Sequence, residues 1–196
     1  PWQLAKETTT LDRLSGGRVI LGAGIGSPSR GDFGVFGEPA SERVRAELLD
    51  EGLAVLAGLW SGEWFSYRGK HYTVGPVRFA PVPVQRPRIP VWVGGILPAP
   101  RPVARAARWD GMVPIQAGPG PVPAPDLAAL RDRITQLRGS AAGFDLALWA
   151  GLETAAGEVD ALLPAYRDAG ATWWIESARP GHGWWDRVQA RVARGR

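Results

Sequence analysis

Between Glu42 and Trp60 the apolar residues recur at helical spacing. At about 100° per residue, Val44, Leu48, Leu49, Gly52, Leu53, Val55, Leu56 and Leu59 share one half of the wheel, while Arg43, Glu47, Asp50 and Glu51 share the other. Arg45 falls inside the apolar arc, where its stem packs and its head reaches water or a carboxylate. Residues 2–14 read as a helix stopped by Ser15-Gly16-Gly17. The run "RVILGAG" is short, apolar and β-branched, which predicts a buried strand. A loop over 27–41 follows, then the long helix. Two aromatic β runs flank Arg68-Gly69-Lys70 as a hairpin. A proline-rich connector leads to the strand "IPVWVGG" at 89–95. Helix 101–109 begins with a proline near its first turn. A strand at 110–115 precedes a helix from Leu127 to Arg138 capped by Asp126. Strand 144–152, a helix from Glu158 to Ala169 kinked at Pro164, strand 171–177 and an amphipathic C-terminal helix complete the chain.

Helices and strands therefore alternate, and the five main strands are apolar runs rather than alternating ones. Alternation of this kind predicts a parallel sheet with helices outside, both of its faces covered.

Composition narrows the chemistry. Of 196 residues, 45% are hydrophobic, so a packed core is expected. The 26 Gly and 18 Pro are spread among apolar stretches and read as loops of a folded domain. No run of about 18 apolar residues predicts a membrane span. Zero Cys excludes thiolate metal sites, disulfides and a Cys nucleophile, and suits a cytoplasmic protein. With two His besides, a transition-metal site is not expected. The net charge of +4 comes from scattered Arg, apart from "RVARGR" at the C-terminus, which reads as a solvated tail and not as a nucleic-acid surface. The chain starts at Pro1 and its single Met is Met112, so a processed, trimmed or partial product is expected.

The segment "GGRVILGAGIGSPSR" (16–30) poses the functional question. A dinucleotide-binding turn needs G-x-G-x-x-G opening a helix. Here Gly22-Ala23-Gly24-Ile25-Gly26 gives G-x-G-x-G, and Pro28 follows where a helix should start. The expected acidic residue falls inside the amphipathic helix. No Gly-Lys-Ser/Thr follows, so a P-loop is excluded as well. What remains is a strand opening at its C-terminal end into a glycine-rich loop. Sites of parallel α/β folds lie at that end. Turn geometry alone is the competing explanation of the glycines.

The ordered set "LAKETTTLDRLSGGRVILGAGIG", "DFGVFGE", "ERVRAELLDEGLAVLAGLWSGEWFSYRGKHYTV", "FAPVPVQRPRIPVWVGG" and "AARWDGMVP" resembles the luciferase-like flavin monooxygenases. The resemblance is close over residues 1 to about 115 and weaker beyond. It implies a (β/α)8 barrel lacking its first three strands here: a single partial TIM-barrel domain over 1–196, with a hairpin and Pro-rich insertion at about 63–88. Its open edges, at 19–24 and 171–176, predict a chain that is marginal alone, homo-oligomeric or paired through those edges.

The resemblance also implies function: a flavin-dependent oxidoreductase or monooxygenase acting on paired donors with incorporation or reduction of dioxygen. The cofactor is FMN, or alternatively the deazaflavin coenzyme F420 in hydride transfer; the partners are that cofactor and a small-molecule substrate. A truncated, non-catalytic homologue acting as a binding or assembly partner is a further alternative. On the family pattern, Gly22, Ala23, Gly24 and Gly26 lie beneath or beside the ring. Gly94 and Gly95 match a glycine pair whose backbone approaches the cofactor, and Arg101 reaches a phosphate with help from a helix N-terminus. Luciferases carry Cys-Arg where Gly24-Ile25 stands, so phosphate binding of that kind and light emission are not expected. No residue is singled out as a catalytic acid or base. His71 reads as a hairpin packing residue, His182 as a loop residue near the mouth and Asp110-Gly111 as a turn. Trp60, Trp92, Trp109 and Trp149 read as core; Trp173-Trp174 and Trp184-Trp185 read as packing for the terminal helix, with a flavin pocket as the alternative.

Overall fold

Residues 1–27, 32–118, 120–151, 156–177 and 183–193 are described by a computed structural model. They form two compact units, Pro1–Val91 and Trp92–Arg196.

The first unit is built on two helices, α1 (Trp2–Ser15) and α3 (Glu42–Ser61). Ala5, Thr9 and Asp12 of α1 are buried, as are Val55, Leu56, Leu59 and Trp60 of α3. The Trp60 indole N–H donates to the Ala5 carbonyl at 3.4 Å, and Leu53, Val55, Leu56 and Leu59 of the apolar arc read from the sequence are buried. Gly16 ends α1 with φ 66°, a left-handed conformation that glycine adopts without steric cost. Strand β1 (Leu21–Ala23) is shorter than the run that predicts it. The Leu21 N–H donates to Pro90 O at 2.8 Å. A one-turn helix α2 (Asp32–Val35) stands in the loop before α3 and is not legible in its composition.

The hairpin, β2 (Trp64–Arg68) and β3 (Thr73–Arg78), forms as expected. One α3 carboxylate fixes it: Glu51 accepts the backbone N–H groups of Lys70 at 2.8 Å, His71 at 2.9 Å and Tyr72 at 3.0 Å. Burial pushes the Glu51 pKa up, and the three N–H donors outweigh it, so the group lies below its ordinary value. Beside it, Glu47 bonds Lys70 Nζ at 2.6 Å and His71 Nε2 at 2.9 Å, and these two hydrogen bonds bring its pKa down to about 2.

The second unit carries β4 (Val91–Ile96, entered from the first unit), α4 (Pro100–Ala106), β5 (Gly111–Ile115), α5 (Ala124–Arg138), β6 (Asp145–Gly151), α6 (Ala156–Asp168), β7 (Trp173–Ser177) and α7 (Trp184–Ala193). Strands β4 to β7 are parallel neighbours. Within this unit the strand order is β4-β5-β6-β7. Alternate residues divide the faces. Val93, Met112, Leu146 and Leu148 are buried on the helix-covered side. On that side Trp174 stacks edge-on with Tyr166 of α6, and Glu176 pairs with Arg191 of α7 at 2.6 Å.

Two local expectations are corrected. Asp126 is not the cap of α5: the helix begins at Ala124 behind Pro123, with Pro125 in its first turn, so Asp126 already lies inside the helix. Trp149 is not a core residue: it is 54% exposed, because its position in β6 places it on the other face from Leu148. Trp60, Trp92 and Trp109 are buried as read.

Candidate cofactor site

In the second unit the site is a sheet face with three levels, set by strand register. Trp92, Gly111 and Asp145 stand side by side at the N-terminal ends of β4, β5 and β6. Asp145 accepts the indole N–H groups of Trp92 and Trp173, each at 3.2 Å, and the Thr172 hydroxyl at 2.8 Å. Trp92 and Trp173 meet edge to face, with ring centroids 5.3 Å apart. Gly111 is glycine because a Cβ would strike the Trp92 ring and come within 2.9 Å of Asp145 Cβ. Two indoles and one carboxylate thus close the lower end.

One level up, small residues interrupt the aromatic surface: Gly94 pairs with Val113, and Ala147 pairs with Trp173. The upper level is apolar and open. Ile96 pairs with Ile115, and Trp149 pairs with Ile175. Ile96 is 55% exposed and Ile115 37%. The strands are parallel, so this rim lies at their C-terminal ends, where a β/α fold places its ligands.

The expected glycine pair divides between two tasks. Gly94 lies on the open face. Gly95 points the other way, where a Cβ would strike Pro102 of α4 and come within 3.2 Å of Met112 Cε. Its missing side chain is explained by helix packing. Arg101 is exposed in the first turn of α4. That helix has seven residues, with Pro100 and Pro102 among its first three. Proline lacks an N–H, so of the first four residues of α4 only Arg101 and Val103 carry a backbone donor.

The first unit holds the other predicted residues. Gly22, Ala23 and Gly24 line a cavity of about 350 Å³ whose opposite wall is Leu48, Leu49, Leu53 and Tyr72. A Cβ on Gly22 would meet nothing within 4 Å. Gly26 has φ 71°, and a Cβ there would strike the Phe33 ring. The long loop is held by Arg45. Its Nε donates to Ile25 O at 2.8 Å, its Nη1 donates to the carbonyls of Pro39 and Ala40, and its guanidinium lies 4.2 Å from the centre of the Phe33 ring. The helical position alone suggested that the head reaches water or a carboxylate; among the described residues it is buried and bonds no carboxylate. It reaches backbone carbonyls.

His71 packs the hairpin through Glu47, as read. His182 lies outside the described residues. Among the described residues no cluster of three or more His, Cys, Asp or Glu is placed to hold a metal ion. No helix among them is long and apolar enough to cross a membrane.

The model of the luciferase-like monooxygenase family matches residues 1–190. The chain belongs to this family. It is 32% identical over 146 residues to an uncharacterized protein of Mycobacterium tuberculosis, covering 74% of this chain and 48% of that one. It is 32% identical over 114 residues to an FMNH(2)-dependent dimethylsulfone monooxygenase of Pseudomonas putida, covering 56% of this chain and 31% of that enzyme. The chain thus spans about half the length, or less, of these curated relatives. An F420-dependent secondary alcohol dehydrogenase solved with an F420-acetone adduct superposes with a TM-score of 0.72 at 16% identity, covering 98% of this chain and 74% of that one. The fold is accordingly α/β, part of a luciferase-like TIM barrel.

Proposed function

We propose that this chain carries the cofactor-binding part of a flavin-dependent oxidoreductase of the luciferase-like class. FMN is the proposed cofactor, with a small organic molecule and dioxygen as paired substrates. One observation carries the reading: the family match runs over residues 1–190 and so includes both glycine segments. The 32% identity to an enzyme named for FMNH(2) favours FMN.

The residues of the second unit fit a flat ring system. Half-buried Gly94 carries no side chain below an apolar rim, and Trp149 and Ile115 offer exposed apolar surface. In the first unit, Gly22 and Gly24 leave backbone open to a ligand. Arg101 is the cation offered to a phosphate. Reduced FMN, when bound, supplies a hydride equivalent and reactivity toward dioxygen; the protein supplies position, dryness and field. A scarcity of acid–base side chains agrees with that division.

Coenzyme F420 is the alternative, with hydride transfer as the reaction. Pairing through the edges of β1 and β7 is proposed as the route to an oligomer. Anaerobic titration with reduced FMN, oxidised FMN and coenzyme F420 tests the reading. Saturable binding of either FMN form supports it. Binding of coenzyme F420 alone moves the protein to the hydride-transfer alternative, and binding of none removes the cofactor assignment.

A further inference from the structure

Arg45 is 5% exposed on the apolar side of α3, and among the described residues no carboxylate pairs with it. Its Nη2 has no hydrogen-bond acceptor there. A buried cation without a counter-charge is a poor choice for stability, and an apolar side chain of similar volume generally serves a core better. Its contacts show what is gained. Nε holds Ile25, at the start of the loop between β1 and α3, while Nη1 holds Pro39 and Ala40, at its end. The face of the guanidinium holds Phe33 between them, and Phe33 in turn covers Gly26. One side chain therefore bonds the backbone at Ile25 and at Pro39 and Ala40 and lies on the Phe33 ring between them.

We propose that Arg45 is a positioning residue: it latches this loop and thereby fixes the backbone of Gly24–Gly26 in the geometry that receives the cofactor. This rests on the reading of that glycine segment as part of the cofactor seat. Arg45 is well suited to the task because its planar fork of donors can bond separated acceptors at once, while a lysine offers a single point of charge.

The test compares the chain with R45M, R45K and F33L by two measurements. Hydrogen exchange followed by mass spectrometry reads the loop itself. Titration with FMN and with coenzyme F420 reads the seat. In R45M, amides of 25–27 and 33–40 should exchange at least tenfold faster, while those of 53–60 in α3 keep their rates. Cofactor Kd should rise about tenfold or more. R45K, retaining one donor group, and F33L, retaining the carbonyl bonds, should fall between wild type and R45M in both, and both keep the test open if R45M fails to fold. Unchanged loop exchange in every variant overturns the latch. Faster exchange with unchanged Kd overturns the positioning role and leaves Arg45 a structural residue. Should the parent chain bind neither cofactor, the seat reading falls, and with it the positioning role; loop exchange still decides the latch by itself.

Discussion

The side-chain amide of Gln85 donates to Asp12 Oδ1 at 2.7 Å, across 73 positions of sequence. Asp12 is fully buried, and its other oxygen accepts the backbone N–H groups of Val84 at 2.7 Å and Gln85 at 3.1 Å. Gln85 passes the linkage on to Val19 O at 2.7 Å. A single carboxylate thus ties α1 to the proline-rich connector and, through Gln85, to the approach to β1. Prolines donate no N–H, so a connector rich in them has few donors of its own with which to anchor. D12A leaves three donors without their acceptor and should cost about 3 kcal/mol in urea denaturation; a loss below about 1 kcal/mol would show that water replaces the carboxylate.

Glu47 and Glu51 make the hairpin sensitive to acid. Both have folded-state pKa values below the ordinary value, Glu47 at about 2. A carboxylate depressed in this way contributes stability that is present above its unfolded pKa and lost as the pH falls through its folded one. The contribution is therefore present above about pH 4.5 and declines toward pH 2. Urea midpoints of wild type should fall over this window more steeply than those of an E47Q/E51Q double variant. Equal slopes in the two proteins would remove both carboxylates from the explanation.

Trp92 and Trp149 test the division between sheet faces. Trp92 is 6% exposed and holds Asp145, whereas Trp149 is 54% exposed on the rim. W92A should cost about 3–5 kcal/mol, and W149A about 0.5 kcal/mol or less. W149A should nonetheless weaken cofactor binding, because it removes apolar surface from the rim. Equal stability losses would place Trp149 in the core after all.

Glycine replacements separate packing from ligand approach. G95A adds a methyl against Pro102 and Met112 and should cost about 1–3 kcal/mol by overpacking. G22A adds one to open space and should leave the melting temperature unchanged. If Gly22 is part of the seat, G22A still lowers cofactor affinity. A stable G22A with the parent Kd would take Gly22 out of the site.

Much of the architecture is legible in the chain because the parallel strands are apolar runs closed by Gly, Pro or a polar turn, and α3 carries an apolar arc. What the sequence conceals is which neighbour a side chain finds. Arg45 lies in an apolar arc, which fits snorkelling to water as well as burial against carbonyls. The choice depends on a loop that returns 20 residues away in sequence, to Ile25. Trp149 sits in an apolar run that reads as buried on both faces, and only strand register reveals that its face is the open one. The network of Asp145, Trp92 and Trp173 has a faint signal, an indole at the start of each of two strands and a carboxylate at the start of a third, but no spacing rule joins them. Gly94 and Gly95 look equivalent in sequence; the two-residue period of a strand sends them to opposite faces.

The most direct measurement is a thermal melt of the 196-residue chain, alone and with FMN or coenzyme F420 at about 100 times Kd. A ligand bound only by the folded state at that level adds roughly 2.7 kcal/mol, which corresponds to a rise of several degrees for a domain of this size. A rise with FMN that is smaller in G22A and R45M is the predicted result. Identical melts with and without either cofactor would contradict the assignment of a cofactor seat to this chain.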